Sequence, residues 1–312
     1  MTDNRIPVLV ITGFLGSGKT SFINHLITHS SGRKFQVVES ETGEFNIDKH
    51  LLSEGQHGIL EECSDNGEHS ISYLKELAEK PKSQHPHFVI IESNGIDSPL
   101  HLVRQMHNNE QLAAIYRIQH VICIIDAANY ENDKVKIAYI NQLQIATTLV
   151  LNKVDLITPF EQKNIYRVLK EKYRLPTVYL TNHSQLPVSK INALLDNYNQ
   201  VNLPTTAIQE GRVDEVQSVS FEIPEKINMG RVMNWIKMVA LLRQGDLYRV
   251  KGIFNNTNKK KPLLLQGVRD QTELNVIESA QKEPTNSNQL LIIGKNITRK
   301  KLSQQLKSCI DH

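Results

Sequence analysis

Short apolar runs alternate with amphipathic stretches from Pro7 to about Leu195. Six of the runs read as strands: PVLVIT (7–12), FQVVE (35–39), FVIIE (88–92), VICIID (121–126), TTLVLN (147–152) and TVYL (177–180). Several are apolar at consecutive rather than alternate positions, the pattern of parallel strands covered on both faces. Between them, SFINHLITH (21–29) and PFEQKNIYRVLKEKY (159–173) have helical spacing. This β-α-β rhythm predicts an α/β domain with a mainly parallel, doubly wound sheet over residues 1–199. The pattern then breaks, and residues 200–214, with proline and glycine but no periodicity, read as a linker. From 215 to 312 the chain offers an alternating strand, EVQSVSFEI (215–223), and a helix-like GRVMNWIKMVALLRQ (230–244). Strands at 246–254, 261–268 and 289–294 follow, then a closing helix at 298–310. These predict a smaller α+β C-terminal domain. No internal repeat or low-complexity tract is present.

Composition narrows the partners. The 312 residues are 39% hydrophobic, enough for a sizeable core, and 36 basic against 33 acidic residues leave a charge of +3. The basic runs KKK (259–261) and RKK (299–301) have no aromatics between them, so no nucleic-acid partner is expected. No apolar run approaches the ~18–20 residues needed to span a bilayer, and MTDNRIPVLV lacks the form of a secretion signal. Cys63, Cys123 and Cys309 are few, odd in number and far apart, which points to a reducing compartment and a cytoplasmic protein. Cys123 is expected as a small core residue, Cys309 as inert, His85 and His87 as loop residues, and Trp235 as core.

The first strand runs into GFLGSGKT (13–20), which fits G-x-x-x-x-G-K-[ST] at every fixed position. Gly13, Gly16 and Gly18 let the backbone curl so that successive N–H groups point at phosphate oxygens, with Ser17 and Ser21 beside them. Lys19 would reach the β- and γ-phosphates and Thr20 would offer its hydroxyl to Mg²⁺. The helix that follows turns its positive end toward the anion. The sequence thus predicts a nucleotide phosphate site.

Two further strand ends complete it. NKVD (152–155) follows TTLVLN, and a carboxylate there accepts from guanine N1–H and N2–H₂, a donor pair that adenine lacks. Asp155 would therefore select GTP, Lys153 would lay its stem along the base, and Asn152 would tie this loop to the phosphate loop. FVIIESNG (88–95) closes an apolar strand with Glu92, placed to contact Mg²⁺ through water, and Gly95 would offer its N–H to the γ-phosphate.

ESNGIDSP (92–99) resembles the "ETTGLADP" segment of the CobW-like GTPases, a family of nucleotide-dependent metal chaperones and metalloenzyme activators. VVESETGEFNID (37–48) is similar to that family's switch segment at Glu41, Gly43, Glu44, Ile47 and Asp48. LYRVKGIF (247–254), LLLQGV (263–268) and LLIIGKNI (290–297) resemble its C-terminal domain, so the likeness spans about residues 6–310. One departure stands out. Where the family carries Cys-x-Cys-Cys, this chain reads HGILEECS (57–64), with Cys63 as its one thiol. A lone thiolate makes a poor structural zinc site. Glu41, Glu44, His57, Glu61, Glu62 and Cys63 would instead form an open, mixed-donor site for Zn²⁺, Co²⁺ or a similar ion, or else an acidic surface loop.

The resemblance implies a GTPase that turns GTP into GDP and phosphate, with Lys19, Thr20 and Glu92 acting on the phosphates. Asp48, a switch neighbour or a second subunit of a nucleotide-dependent homodimer would orient the water. Slow turnover follows from the lack of an obvious water-orienting residue. The implied role is delivery of a divalent metal to a client metalloprotein. The alternative is a GTP-dependent assembly switch without metal; a P-loop kinase is disfavoured because NKVD reads guanine.

Overall fold

The computed structural model describes residues 3–40, 60–63, 68–96, 98–133, 137–173, 177–198, 216–242, 247–255, 262–268, 271–276, 287–295 and 297–310. Two compact units are present, one on the N-terminal elements and one on Asp214–His312. The segment 200–214, read from sequence as a linker, lies outside the described residues.

Among the described residues the N-terminal unit has seven strands: β1 (Ile6–Thr12), β2 (Phe35–Ser40), β3 (Leu60–Cys63), β4 (Phe88–Glu92), β5 (Tyr116–Asp126), β6 (Thr148–Asn152) and β7 (Thr177–Thr181). They form one sheet in the order β3-β2-β4-β1-β5-β6-β7, parallel at every pairing. The helices are α1 (Lys19–Thr28), α2 (Glu68–Glu79), α3 (Leu100–Asn108), α4 (Glu110–Ile115), α5 (Tyr130–Asp133), α6 (Ile137–Ile145), α7 (Pro159–Tyr173) and α8 (Val188–Asp196).

The apolar runs predicted this because each strand has two faces to bury. On β1, Val8 and Val10 pack on one side with residues of α2 and α3, while Leu9 and Ile11 pack on the other with Phe22, Ile23 and Leu26 of α1. All four β1 side chains are fully buried. Full burial of such a side chain contributes roughly 1.5–3 kcal/mol. From β1 the chain goes out to β2 and the edge strand β3, returns to β4 beside β1, then crosses to the other side through β5, β6 and β7. β1 therefore marks the point where strand order reverses, where a doubly wound sheet opens a crevice at its carboxyl edge.

Two details differ from the sequence expectation. Residues 60–63, read as part of a loop, form a strand: Val37, Val38, Glu39 and Ser40 of β2 pair with Leu60, Glu61, Glu62 and Cys63. The outer edge of β2 carries backbone groups that need partners, and a short polar strand satisfies them without an apolar signature. β5 also starts earlier, at Tyr116, because its first turn of polar residues is paired rather than solvated. His120 donates Nε2–H to Asn197 O at 2.8 Å, and Gln119 donates its amide to Leu195 O. An extra residue there shifts the β1/β5 register between Val8 and Leu9.

The second unit is an antiparallel sheet of β8 (Val216–Ile223), β9 (Leu247–Phe254), β10 (Leu263–Val268), β11 (Gln271–Val276) and β12 (Asn288–Lys295), in the order β11-β10-β9-β12-β8. Val219, Phe221 and Ile223 point inward with Leu290 and Ile292, against α9 (Met229–Leu242) and α10 (Arg299–Leu306). Trp235 belongs to this core and donates Nε1–H to Gln305 Oε1 at 3.1 Å; Cys309 is buried in it. The polar edge strand β11 went unforeseen. No helix among the described residues is long and apolar enough to cross a membrane.

A hydroxyl stitches α2 to the sheet: buried Tyr116 donates to Leu74 O at 2.9 Å. Burial pushes this phenol well above its usual range, so it remains a donor at any physiological pH. Tyr116→Phe is expected to lower the unfolding free energy by about 1 kcal/mol in a urea titration, without a change in slope.

Candidate nucleotide site

The carboxyl edge of the sheet gathers the chemistry. Residues 13–18 curl between β1 and α1, with φ of 141° at Gly13 and 105° at Gly18. A Cβ on Gly13 would enter the carbonyl oxygen of Ile124, and one on Gly18 would lie 2.5 Å from Ser184 Oγ and 2.6 Å from Asn152 Nδ2. Only glycine fits either place. Ser17 N–H closes a turn on Phe14 O, while the buried Ser17 hydroxyl has no hydrogen-bond partner. An orphaned buried donor in a glycine cradle is what an anion would satisfy. α1 has no acidic residue in its first turn, which leaves its positive end open to such an anion.

Lys19 is buried and donates Nζ to Gly13 O at 3.0 Å, so its ammonium folds back over the cradle. Thr20 Oγ1 donates to Glu92 at 3.0 and 3.3 Å. The hydroxyl and carboxylate named for Mg²⁺ are therefore in contact, and these hard oxygen donors suit that ion. Ser21, next on the helix, is exposed. Gly95 sits against the loop, where a Cβ would lie 2.9 Å from Leu15 N. Its peptide is tied on both sides: Gln142 donates Nε2–H to Gly95 O at 3.1 Å, and Asn94 Oδ1 accepts from Ile96 N at 3.2 Å.

At the end of β6, Asn152 uses its whole amide. Nδ2 donates to Ser17 O and to Ser184 Oγ, both at 2.8 Å; Oδ1 accepts from Thr181 Oγ1 at 3.1 Å and Ser184 N at 2.7 Å. Ser184 Oγ in turn donates to Gly18 O at 3.0 Å. Lys153 takes a left-handed conformation, φ 60° and ψ 34°, and leads into one turn, Val154–Leu156, that carries Asp155. Asp155 is exposed, and its N–H is held by Asn182 Oδ1 at 3.2 Å.

Several of these residues were missed in the sequence. Asn182 and Ser184 come from the loop after β7, whose His183 and Ser184 have positive φ. Nothing in TNHS (181–184) marks it as part of a site. Glu39, next to last in β2, pairs in register with Glu92 at the end of β4 and is likewise buried. In-register neighbours on parallel strands share a face, and the strand-end carboxylate that singled out Glu92 was equally legible in FQVVE.

Glu41, Glu44, Asp48 and His57 lie outside the described residues, as do the side chains of Glu61, Glu62 and Cys63. Cys123 is fully buried on β5, and burial pushes its thiol up to about 12 against the opposing pull of the Lys19 ammonium. It is a core thiol. His87 Nδ1 accepts from Lys34 N at 2.8 Å and His85 Nε2 donates to Lys80 O at 2.8 Å, so both serve local structure.

A family model described as the CobW/HypB/UreG nucleotide-binding domain matches residues 7–177. The chain belongs to the CobW/HypB/UreG family. A second model, the cobalamin synthesis protein cobW C-terminal domain, matches residues 216–310. Among relatives, the zinc chaperone YjiA of Escherichia coli is 26% identical, with 85% of this chain and 87% of that protein covered. The zinc-regulated GTPase metalloprotein activator 1 of Schizosaccharomyces pombe is 24% identical over 96% of this chain and 84% of its own length. The crystal structure of Zn(II)-bound YjiA GTPase from E. coli is 21% identical, with a TM-score of 0.48 over 99% of this chain and 100% of that one.

Proposed function

We propose that this member of the CobW/HypB/UreG family hydrolyses GTP to GDP and phosphate. Its nucleotide state is coupled to delivery of a divalent metal, zinc or cobalt, to a client metalloprotein. The observation that carries the nucleotide half is the Thr20–Glu92 contact beneath a glycine cradle with an unsatisfied buried donor. The metal half draws on family membership and on relatives named as zinc chaperones and a metalloprotein activator.

Each residue then has a task. Amides of the 13–19 loop other than the Ser17 N–H, which Phe14 O holds, and the Ser17 hydroxyl receive the phosphate oxygens. Lys19 exchanges Gly13 O for the β/γ-oxygens and stabilises the charge that builds there. Thr20 and Glu92 would hold Mg²⁺, which supplies charge neutralisation of the same oxygens. Gly95, its following peptide already tied down, keeps its own N–H for the γ-phosphate. Asp155 accepts from the two guanine donors.

GTP is expected to bind at least about tenfold tighter than ATP. Asp155→Asn should weaken GTP and improve xanthosine triphosphate, whose base presents the complementary acceptor. Equal affinities for ATP and GTP in a calorimetric titration would remove the guanine assignment.

Lys19→Ala should cut turnover by about 10²–10³-fold, and Glu92→Ala should spare nucleotide binding more than hydrolysis. Phosphate release under single-turnover conditions checks both. Parent-like turnover by Lys19→Ala would refute the phosphate reading.

If Glu41, Glu44 and Cys63 ligate the cargo metal, metal and GTP binding should be coupled by roughly 1–3 kcal/mol in each direction. Zinc affinity should fall as pH drops and Cys63 takes a proton. Titrating Zn²⁺ and Co²⁺ into the GTP-analogue, GDP and empty forms measures the coupling. Identical titrations for the parent, Cys63→Ala and Glu41→Ala would mean that the chain carries no such site and acts as an assembly switch.

A further inference from the structure

Lys153 was expected to lie along a purine; the structure shows what holds its far end. Its Nζ donates to Asp126 Oδ2 at 2.7 Å. Asp126 closes β5, is 5% exposed and lies in register with Asn152 on β6. Two more donors hold the carboxylate: Asn129 N reaches Oδ1 at 3.2 Å and Asn129 Nδ2 reaches Oδ2 at 2.9 Å. The acid is thus a rigid anchor on a central strand, and the lysine is its surface-facing partner, with a side chain 25% exposed.

The anchor matters because of the backbone it restrains. A lysine at φ 60° occupies a region that β-carbon-bearing residues enter only when their surroundings require it. The residue directly after it begins the turn that presents Asp155. Asp155 itself is held through its N–H by Asn182, while its carboxylate lies in the exposed part of the site. Charge adds a second effect. An ammonium without Asp126 would have Asp155, two residues on, as its nearest carboxylate in sequence. That pairing would occupy the oxygens meant for guanine.

We propose that Asp126 is a positioning residue for base selection, gripping Lys153 so that the turn after it presents a free Asp155 carboxylate to guanine. The inference rests on the reading of Asp155 as the guanine acceptor. A residue acting in this way should affect the base and not the phosphates. Inosine triphosphate is the discriminating probe, since it keeps N1–H and O6 but lacks the N2 amine, one of the two donors Asp155 would bind.

The test is titration of the full chain with GTP and inosine triphosphate, for the parent, Asp126→Asn, Asp126→Glu, Lys153→Met and the Asp126→Asn/Lys153→Met double variant. The parent should prefer GTP. Asp126→Asn keeps an oxygen for Asn129 N but loses the charge, and should weaken GTP about tenfold while inosine triphosphate changes much less. Asp126→Glu should recover most of the preference, and Asp126→Asn should add nothing in the Lys153→Met background. Equal weakening of both nucleotides, an unchanged preference or additive effects in the double variant would overturn the proposal. Should Asp126→Asn not fold, as judged by thermal unfolding without nucleotide, the pair Asp126→Glu and Lys153→Met decides. Loss of preference in the first, or full preference in the second, overturns it. A parent with no preference would instead overturn the guanine reading itself.

Discussion

One buried amide joins the two ends of the candidate nucleotide site. Asn152 donates to Ser17 O in the phosphate loop and to Ser184 Oγ, and accepts from Thr181 Oγ1 and Ser184 N. All four of its hydrogen-bonding positions are used, so rotation of the side chain would break several bonds at once. Ser184 returns the connection to Gly18 O. The glycine loop, the end of β6 and the loop after β7 thereby hold one spacing, as the proposed reading of a nucleotide at both ends requires. The same knot explains Gly18, since a Cβ there would collide with the two groups that tie it.

The parallel sheet supplies the frame for that knot. Every described strand of the N-terminal unit runs the same way, so these strands end at the same edge, and polar residues that close apolar runs are brought into line. Glu39 and Glu92 are register partners, as are Asp126 and Asn152, and Glu92 lies beside Ile11 at the mouth of the phosphate loop. Their charges are costly to bury singly. Thr20 and Lys153 offset part of that cost through direct bonds to Glu92 and Asp126. A cation or phosphate arriving there would meet groups whose places the fold already sets, which limits the reorganisation that electrostatic stabilisation needs.

Reactivity is also shaped by what the core withholds. Cys123 lies on β5 under the phosphate loop, close enough to Lys19 to feel its charge, yet burial keeps it a thiol. The oxygen donors of Glu92 and Thr20 are then the ones that a hard cation would meet, and the soft donor is kept out of reach. The metal cargo proposed for this chain would then fall to other residues, and the segment that the family resemblance nominates for it begins just past the end of β2.

What the sequence determined by itself is what local chemistry encodes. Apolar runs without alternation specified buried parallel strands, and α7 was legible to its ends because its apolar spacing starts at Pro159 behind a Thr158–Glu161 capping pair. The phosphate loop was legible because its glycines, lysine and threonine fall within eight consecutive residues whose backbone alone makes the cradle. Only the tertiary structure decided which strand ends meet. Thr20 and Glu92 are 72 residues apart, Ser17 and Asn152 are 135 apart, and Gly18 and Ser184 are 166 apart. A polar residue closing a strand looks the same in sequence whether water or a buried partner awaits it. Asp126 was hidden for that reason, Asn182 because its loop carries no motif, and β3 because an edge strand is held by backbone bonds that leave no mark on side-chain pattern.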